Sequence, residues 1–277
     1  MKPNYIVIGS MKSGTSTLCH LLGQHPDVFM SNPKEPEYFS NPELYARGLA
    51  WYETLFEDAS GKTAIGEGST SYTKAHLFPG VPEKIASDLP DVRLIYIVRH
   101  PLERIESQWM YNVRTNNVHK SFARTLRDDQ HLINTSRYWW QLSKYREHFD
   151  DTRILVLFFE ELKQEPGAVL RDCFDFLGVD ADDYAGNTAE QKNVTPSFGL
   201  EGRALSMAGK IPGYRKLMDH LPASLKNSLR PLLKQQVSGH PQWDPELRRR
   251  VVQELESDTC QLLDYCSKPG DYWNLAG

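Results

Sequence analysis

The chain has 277 residues, of which 40% are hydrophobic and 25% are charged, a composition typical of a globular protein with a substantial core. Its 36 acidic residues outnumber its 32 basic ones, which excludes a polycationic nucleic-acid binder. No apolar run approaches the roughly 20 residues that cross a bilayer, and the apolar run near the amino terminus is too short for a signal peptide. We therefore expect a single cytoplasmic domain over residues 1–277, with no nucleic-acid partner and no membrane span.

Short runs of β-branched and aromatic residues alternate with helical patterns along the first two thirds of the chain. The runs predict buried strands over 5–8, 63–65, 93–98 and 154–159. The intervening patterns predict helices over 15–24, 82–87, 102–116, 138–149 and 166–177. This alternation indicates βαβ units, so the predicted fold class is α/β, with a parallel β-sheet flanked by helices. The glycine-rich loop described below makes the predicted sheet one of the P-loop type.

The last third of the chain has a different character. Six prolines between residues 196 and 245 punctuate short helical patterns, and no convincing strand is found over 181–245. We divide the domain into an α/β core over 1–180, a helical lid-like segment over 181–245 that covers the cleft, and a C-terminal helix and tail over 246–277. Residues 201–250 carry ten Lys or Arg against four acids, an excess that favours an anionic ligand.

The cysteines are too few, and too irregularly spaced, for a disulfide framework or a metal site. They are Cys19, Cys173, Cys260 and Cys266. We expect reduced thiols, and a helix over the last two would point their side chains to different faces. No metal site is predicted.

A glycine-rich loop follows the first predicted strand and opens the first predicted helix. Its candidate phosphate ligands are Lys12, Ser13, Gly14, Thr15 and Ser16. Backbone N–H groups in such a loop, at the N-terminus of a helix, can cradle a phosphate. A P-loop kinase would have a lysine in place of Thr15 and an acidic magnesium ligand after a later strand, and this chain has neither. A kinase that uses ATP and magnesium is therefore only a distant alternative.

The loop resembles the 5′-phosphosulfate loop of sulfotransferases that use 3′-phosphoadenosine 5′-phosphosulfate (PAPS). The resemblance implies an arginine at the end of a later strand and a serine about eight residues on, which together bind the 3′-phosphate. Arg99 and Ser107 have that spacing. An arginine fork suits a phosphate dianion. The implied donor is PAPS, with adenosine 3′,5′-bisphosphate as product and Lys12 as the catalytic charge stabiliser at the departing phosphate oxygen.

Further stretches are similar to carbohydrate sulfotransferases of the heparan sulfate type, over residues 25–28, 33–39, 48–52 and 67–72. This resemblance implies that Glu35 is the catalytic base that accepts the acceptor's proton, and Glu37 is close enough in sequence to take its place. It also implies that Glu67 and Tyr72 contact the acceptor, although a core hydrogen bond fits either residue equally well. His100 is a rival base, because cytosolic small-molecule sulfotransferases use a histidine.

Other positions fit this resemblance less closely. Gly68 stands where heparan-type enzymes have a lysine, which weakens the case for a highly sulfated acceptor. Trp139 lies in an aromatic cluster that could line an acceptor site or fill the space between helix and sheet. In the C-terminal part, Lys192, Asn193 and Arg203 are candidate nucleotide contacts.

These patterns predict an enzyme that moves the sulfuryl group of PAPS to a hydroxyl, or less readily an amine, of a glycan or glycosylated metabolite. A lipid, polyketide or phenolic acceptor is the alternative. A third class is a non-catalytic module that binds a nucleotide without turning it over. The predicted partners are the nucleotide donor and a small-molecule or glycan acceptor, and homo-oligomerisation is left open.

Overall fold

A computed structural model describes residues 1–116, 120–186, 198–201, 234–237 and 241–275, with side chains for all of them except 116, 198–201 and 234–237. Its central sheet has five parallel strands, β1 (Tyr5–Gly9), β2 (Val28–Met30), β3 (Ala64–Glu67), β4 (Arg93–Val98) and β5 (Ile154–Phe158). They lie in the order β2-β3-β1-β4-β5. The predicted parallel sheet is therefore confirmed, with one additional strand.

The additional strand is β2, which the sequence pattern did not reveal. It reads Val-Phe-Met, an apolar run of only three residues, which is too short to predict a strand, and only its first residue is buried. Its pairing with β3 aligns Val28 with Ala64. The strand thus exists because a neighbouring strand supplies its hydrogen bonds.

Helices cover both faces of the sheet, and all five predicted helices are present. In the described part of the chain the helices are α1 (Thr15–Leu22), α2 (Pro42–Tyr45), α3 (Leu49–Thr54), α4 (Val81–Asp88), α5 (Pro101–Asn116), α6 (Phe122–Asp128), α7 (His131–Thr135), α8 (Tyr138–Arg146), α9 (Phe159–Gln164), α10 (Pro166–Leu177) and α11 (Pro245–Tyr265). Short 3-10 turns lie at Glu57–Ala59, Asp151–Arg153 and Ala181–Asp183.

Two hydrophobic layers follow from the alternation of side chains along the strands. On β1, Ile6 and Ile8 join the layer packed with α4, α5, α8 and α11, whereas Tyr5 and Val7 join the layer packed with α1 and α10. All four are completely buried. Burial of both faces explains why these strands read as continuous apolar runs in the sequence.

The region over 181–245 contains strands that the sequence did not predict. β6 (Phe198–Glu201) pairs antiparallel with β7 (Lys234–Val237). The prediction of a segment without strands is therefore wrong at these residues. Each strand has only four residues: β6 reads Phe-Gly-Leu-Glu, a short alternation that includes a glycine, and β7 reads Lys-Gln-Gln-Val, which has one apolar residue.

The C-terminal helix is present as expected and is fastened to the core. At its N-terminus, the Asp244 side chain accepts hydrogen bonds from the N–H groups of Glu246 and Leu247. Midway along it, the Asp258 carboxylate accepts the N–H groups of Trp139 and Trp140 at 3.0 and 2.8 Å, at the first turn of α8. The C-terminal helix thus supplies the anion that caps a neighbouring helix.

The cysteines are free thiols, with Cys19 and Cys173 buried and Cys260 exposed. Within the described ranges, no group of three or more His, Cys, Asp or Glu residues has a metal-binding arrangement. Among those same residues, no helix is long and apolar enough to cross a membrane.

Candidate active site

The order of the strands brings four chain segments together at the carboxyl ends of the sheet. Because the strands are parallel, the segments that follow β2, β3, β1 and β4 lie side by side there, which we call the carboxyl edge. In spatial order they are the Glu35 loop (31–40), the segment 68–78, the phosphate loop (10–14) and the start of α5. The carboxyl edge therefore holds most of the predicted site residues.

The phosphate loop is a compact turn fixed to β4. The N–H of Ser10 donates to the carbonyl oxygen of Ile97 at 2.6 Å, and the hydroxyls of Ser10 and Ser13 are 2.6 Å apart. Lys12 and Gly14 have φ angles of 70° and 89°, in the left-handed region. A Cβ on Gly14 would also lie 2.6 Å from the Phe159 ring, so glycine is needed both for conformation and for space.

The N-terminus of α1 lacks a side-chain cap. Gly14 occupies the cap position and offers no side-chain acceptor, and the first turn contains no acidic residue. The first N–H groups of an α-helix have no partner within the helix. The predicted ligands Thr15 and Ser16 lie in this first turn, so backbone and hydroxyl donors there can take an anion.

Lys12 contributes a partly desolvated positive charge beside this helix end. Its Nζ lies 4.7 Å from the centroid of the Tyr111 ring, and it forms no ion pair with a described residue. Burial lowers the pKa of Lys12, and the positive charges of Arg114 and Arg99 lower it further. Several cations thus converge on the phosphate loop, and such a cluster favours a polyanionic ligand.

Arg99 and Ser107 lie where the 3′-phosphate motif was expected. Arg99 directly follows β4, and Ser107 is buried in α5. The Arg99 guanidinium lies over the Phe159 ring and donates to Glu103 Oε2 at 2.8 Å, while its buried Nε lacks a hydrogen-bond partner among the described residues. The guanidinium is therefore not fully satisfied within the described residues. Binding of the 3′-phosphate by this pair stays a prediction.

The Glu35 carboxylate lies two segments away from the phosphate loop and is partly exposed. Its Oε1 accepts Lys34 Nζ at 2.7 Å, and its Oε2 accepts the Thr70 hydroxyl at 3.0 Å. The side chain is 34% exposed, so an acceptor could reach it. These two contacts orient the carboxylate, as a general base requires.

The Glu35 loop is fastened to the segment 68–78 by several hydrogen bonds. Gly68 N–H donates to the Lys34 carbonyl at 3.0 Å, and the hydroxyls of Ser40 and Ser71 are 2.7 Å apart. The segment in turn is fastened to β1 just before the phosphate loop, since the Thr73 hydroxyl donates to the Ile8 carbonyl oxygen at 3.1 Å. The Glu35 loop is thus connected, through the segment 68–78, to the strand that leads into the phosphate loop.

The surroundings of Gly68 leave no space for a side chain at this position. A Cβ on Gly68 would lie 2.6 Å from Cys19 Sγ and 3.8 Å from Lys34 Cε. A larger residue would displace buried atoms, and Lys34 already occupies the neighbouring space. The cation beside Glu35 therefore comes from Lys34, a residue to which the sequence analysis gave no role.

Glu67 and Tyr72 are buried in a hydrogen-bonded cluster. Glu67 accepts the Tyr52 hydroxyl at 3.1 Å and the Ser69 hydroxyl at 2.7 Å. Burial raises the pKa of Glu67 to about 7. The Tyr72 hydroxyl accepts the N–H of Phe39 at 3.4 Å. The observed contacts are thus core hydrogen bonds, and direct contact with an acceptor stays a prediction for both residues.

His100 lies at the carboxyl edge with its ring partly buried. Its backbone N–H donates to Glu160 Oε1 at 2.8 Å, and its buried Nδ1 has no hydrogen-bond partner among the described residues. Burial lowers the pKa of His100, so its ring is neutral at neutral pH. A neutral imidazole can accept a proton, and the role of rival base stays a prediction.

Trp139 is not brought to the carboxyl edge with the other predicted residues. Its half-buried ring packs against Tyr265, at 5.5 Å between centroids, and under the Arg146 guanidinium at 5.2 Å. These contacts belong to the interface of α8 with α11. Lys192, Asn193 and Arg203 lie outside the described residues.

The sequence analysis missed Arg104, a completely buried arginine of α5. Its Nη1 donates to the carbonyl oxygen of Met11 in the phosphate loop at 3.3 Å. The available sequence signal was the i,i+4 spacing of Arg104 and Gln108, which predicts that their side chains meet on one face of the helix that also carries Ser107. A sequence alone does not show that an arginine turns inward.

A protein-family model described as "Sulfotransferase domain" matches residues 2–195. The chain belongs to the sulfotransferase family. Mouse heparan sulfate glucosamine 3-O-sulfotransferase 3B1 is 31% identical over 187 residues, which cover 64% of this chain and 46% of the mouse protein. Bifunctional heparan sulfate N-deacetylase/N-sulfotransferase 1 of Caenorhabditis elegans is 25% identical over 82% of this chain and 28% of its own length.

Among solved structures, a sulfotransferase from Alicyclobacillus acidocaldarius has the same fold, with a TM-score of 0.72 and 23% identity over 99% of both chains. The sulfotransferase chain described here spans from just under a quarter to about half of the length of the curated relatives it matches. Its similarity to heparan sulfate enzymes confirms the resemblance found in the motifs. Family membership also favours sulfuryl transfer over the kinase chemistry considered above.

Proposed function

We propose that the chain transfers the sulfuryl group of PAPS to a hydroxyl group of a glycan or glycosylated metabolite and releases adenosine 3′,5′-bisphosphate. The observation that carries this proposal is the uncapped N-terminus of α1, surrounded by cations that include Lys12 and the partly unsatisfied Arg99. A donor with phosphates at both its 5′ and its 3′ positions would satisfy both groups.

The residues of the carboxyl edge fit such a donor and have distinct roles in the transfer. The donor supplies the sulfuryl group and a phosphate leaving group. Lys12 stabilises the negative charge that develops on the departing phosphate oxygen as the sulfur–oxygen bond breaks. Glu35 accepts the proton of the acceptor hydroxyl as the new oxygen–sulfur bond forms, and its contacts with Lys34 and Thr70 hold it in place.

The acceptor class rests on the relatives named above. The mouse relative is named a heparan sulfate glucosamine 3-O-sulfotransferase, and a sugar hydroxyl is the part of that description which we carry over. Lys34 supplies one cation beside Glu35, and Gly68 replaces the additional lysine, which favours an acceptor with less negative charge than a highly sulfated glycan. A cytoplasmic location stays a prediction from the sequence.

The donor site is tested by titration calorimetry without magnesium. Adenosine 3′,5′-bisphosphate is compared with 5′-AMP and ADP, on the wild type and on Arg99→Ala. We expect tight binding that needs the 3′-phosphate and weakens about tenfold or more in Arg99→Ala, because a charge-assisted hydrogen bond is lost. Arg153→Ala is the matched control, since Arg153 pairs with Asp91 just before β5, away from the carboxyl edge.

Equal affinity for ADP, or equal binding by the wild type and Arg99→Ala, would overturn the donor assignment. If the donor site is established, labelled PAPS is then used with sugar alcohols, glycosides, phenols and primary amines as acceptors. Transfer to a sugar hydroxyl supports the proposed acceptor class. Transfer only to phenols or amines would replace it.

A further inference from the structure

Arg104 is a fully buried cation to which the described residues offer no anion. Its relative exposure is 0%, and its four hydrogen-bond acceptors are all uncharged. They are Ser136 Oγ, Leu132 O, Gln108 Oε1 and Met11 O. Burial of an ion without a counter-charge costs several kcal/mol, so an arginine at this position needs a reason other than stability.

The charge of Arg104 persists at neutral pH. Burial lowers the pKa of Arg104 to about 10, which is still well above 7. The guanidinium therefore remains protonated even in its buried position. A positive charge lies permanently beneath the phosphate loop.

The contact between Arg104 and Met11 acts directly on this loop. Arg104 Nη1 donates to the carbonyl oxygen of Met11 at 3.3 Å. This carbonyl belongs to the peptide group that continues into Lys12, whose φ of 70° is uncommon for a residue other than glycine. The arginine thus fixes the peptide plane from which the Lys12 side chain extends.

The polar chain behind Arg104 carries no negative charge. Because a guanidinium only donates, the oxygen of the Gln108 side-chain amide faces Arg104, and its Nε2 donates to His131 Nε2 at 3.1 Å. His131 Nδ1 then donates to His76 Nε2 at 2.7 Å. Burial lowers the pKa of both histidines, to about 4 for His131, so both are neutral. The chain fixes the direction of Gln108 without neutralising Arg104.

We propose that Arg104 is a positioning residue for the phosphate loop, and that the anionic 5′-phosphate of the bound donor supplies the counter-charge that the protein lacks. This proposal rests on the proposed function. Arg104 acts through the Met11 peptide and through its field, because a fully buried guanidinium held by four acceptors does not touch the ligand. Burial of the Arg104 charge destabilises the protein without ligand, so the favourable effect of this charge is realised only when the donor is bound.

Two substitutions at a single position separate charge from structure. Gln108→Glu keeps an acceptor for Arg104 and adds the missing anion, whereas Gln108→Leu removes the acceptor and adds no charge. We expect Gln108→Glu to keep or raise the melting temperature but to bind adenosine 3′,5′-bisphosphate about tenfold more weakly. We expect Gln108→Leu to lower the melting temperature while its affinity stays within about threefold of the wild type.

A third variant, Arg104→Met, removes the charge itself. We expect it to weaken bisphosphate binding at least as much as Gln108→Glu, and Arg104→Lys to restore part of the affinity. If Arg104→Met does not fold, the comparison at position 108 still decides. Unchanged affinity in a folded Gln108→Glu would overturn the role of Arg104, as would equal losses of affinity in Gln108→Glu and Gln108→Leu.

The wild-type titration distinguishes this proposal from the proposed function. A wild type that does not bind adenosine 3′,5′-bisphosphate overturns the donor assignment, and the role of Arg104 falls with it. A wild type that binds tightly, together with a Gln108→Glu variant that binds equally well, overturns the role of Arg104 alone.

Discussion

The two sides of the carboxyl edge treat their charged residues in opposite ways. On the donor side, made of the phosphate loop and the start of α5, Lys12 and Arg104 form no ion pair with a described residue, and Arg99 pairs with Glu103 but keeps one unsatisfied nitrogen. On the acceptor side, made of the Glu35 loop and the segment 68–78, Glu35 and Glu67 each accept two side-chain hydrogen bonds.

This difference indicates what each side contributes to the transfer. Lys12 and Arg104 have no anionic partner among the described residues, so the phosphates of the bound donor would neutralise their charges. The unfavourable burial of these charges is therefore offset only in the complex. A paired carboxylate is oriented before any ligand arrives, which suits a base that must meet one proton in one direction. Substitutions on the two sides should therefore impair different measured properties of the enzyme.

The largest effect is expected from the donor side, for Lys12→Ala. Loss of the ammonium removes the charge that stabilises the departing phosphate oxygen, so kcat should fall by about 1,000-fold. Turnover is measured with labelled PAPS and an acceptor found in the screen. Lys12→Arg is the matched variant, and it should recover part of the activity because the charge is kept.

A loss confined to donor affinity, with kcat unchanged in Lys12→Ala, would contradict this role. Lys12 would then be an ordinary phosphate ligand. The distinction between transition-state stabilisation and binding is read from kcat and the donor Kd measured on the same preparation.

On the acceptor side, Glu35→Gln should lower kcat by about 100-fold while the Kd for adenosine 3′,5′-bisphosphate is unchanged. The amide keeps the size of the carboxylate and one oxygen that can accept from Lys34 or Thr70, but it does not take up a proton. Glu37→Gln is the matched control, because Glu37 lies on the same loop and is exposed. We expect it to change kcat by less than about threefold.

If Glu37→Gln is the inactive variant, the two glutamates exchange roles. If neither variant loses activity and His100→Ala does, the base is the histidine next to Arg99. The first result would move the base within the acceptor side, whereas the second would place the base on the donor side and contradict the separation of the two sides.

The buried Glu67 gives a third prediction, about stability. Its pKa rises from 4.5 to about 7 on folding, so the folded protein binds the proton more tightly than the unfolded chain does. The free energy of unfolding should therefore fall as pH rises from about 5 to 7, by about 2 kcal/mol from this group. Glu67→Gln should remove that part of the dependence, which urea unfolding at several pH values measures.

The free energy of unfolding is compared between the wild type and Glu67→Gln at each pH. All other groups titrate in both proteins, so the difference isolates Glu67. The stability difference should grow in favour of Glu67→Gln toward neutral pH. Parallel stability curves would show that Glu67 stays ionised in the core and that its hydrogen bonds outweigh its burial.

The sequence predicted those parts of the molecule that depend on residues close together in the chain. The phosphate loop is such a part, since its glycines, lysine and hydroxyls lie within residues 9–16 and immediately follow a strand. The long apolar runs of β1, β4 and β5 were also sufficient, because strands buried on both faces need no partner to be recognised. Arg99 and Ser107 are also close in the chain, and both follow β4, so their position at the carboxyl edge could be predicted.

The remaining features arise from contacts between distant segments. β2 has three residues, and β6 and β7 have four each, so these strands are too short to be recognised from the sequence and are defined by their pairing. The inward direction of Arg104 depends on carbonyl groups of the phosphate loop and α7. The contact of Lys34 with Glu35 is between neighbours in the chain. Its role as the cation beside Glu35 depends on a distant residue, because Cys19 leaves no space for a side chain at position 68.

The smallest effect is expected for Trp139→Leu, which tests whether the aromatic cluster belongs to the acceptor site. Because the ring packs against Tyr265 and Arg146, its removal should lower the melting temperature by a few degrees but change kcat/KM by less than about twofold. Trp51→Leu is the informative partner, since the Trp51 ring lies 6.0 Å from Tyr38 in the Glu35 loop. A tenfold rise in the acceptor KM for Trp139→Leu, with donor affinity intact, would extend the acceptor side to α8 and restore the tryptophan to the site.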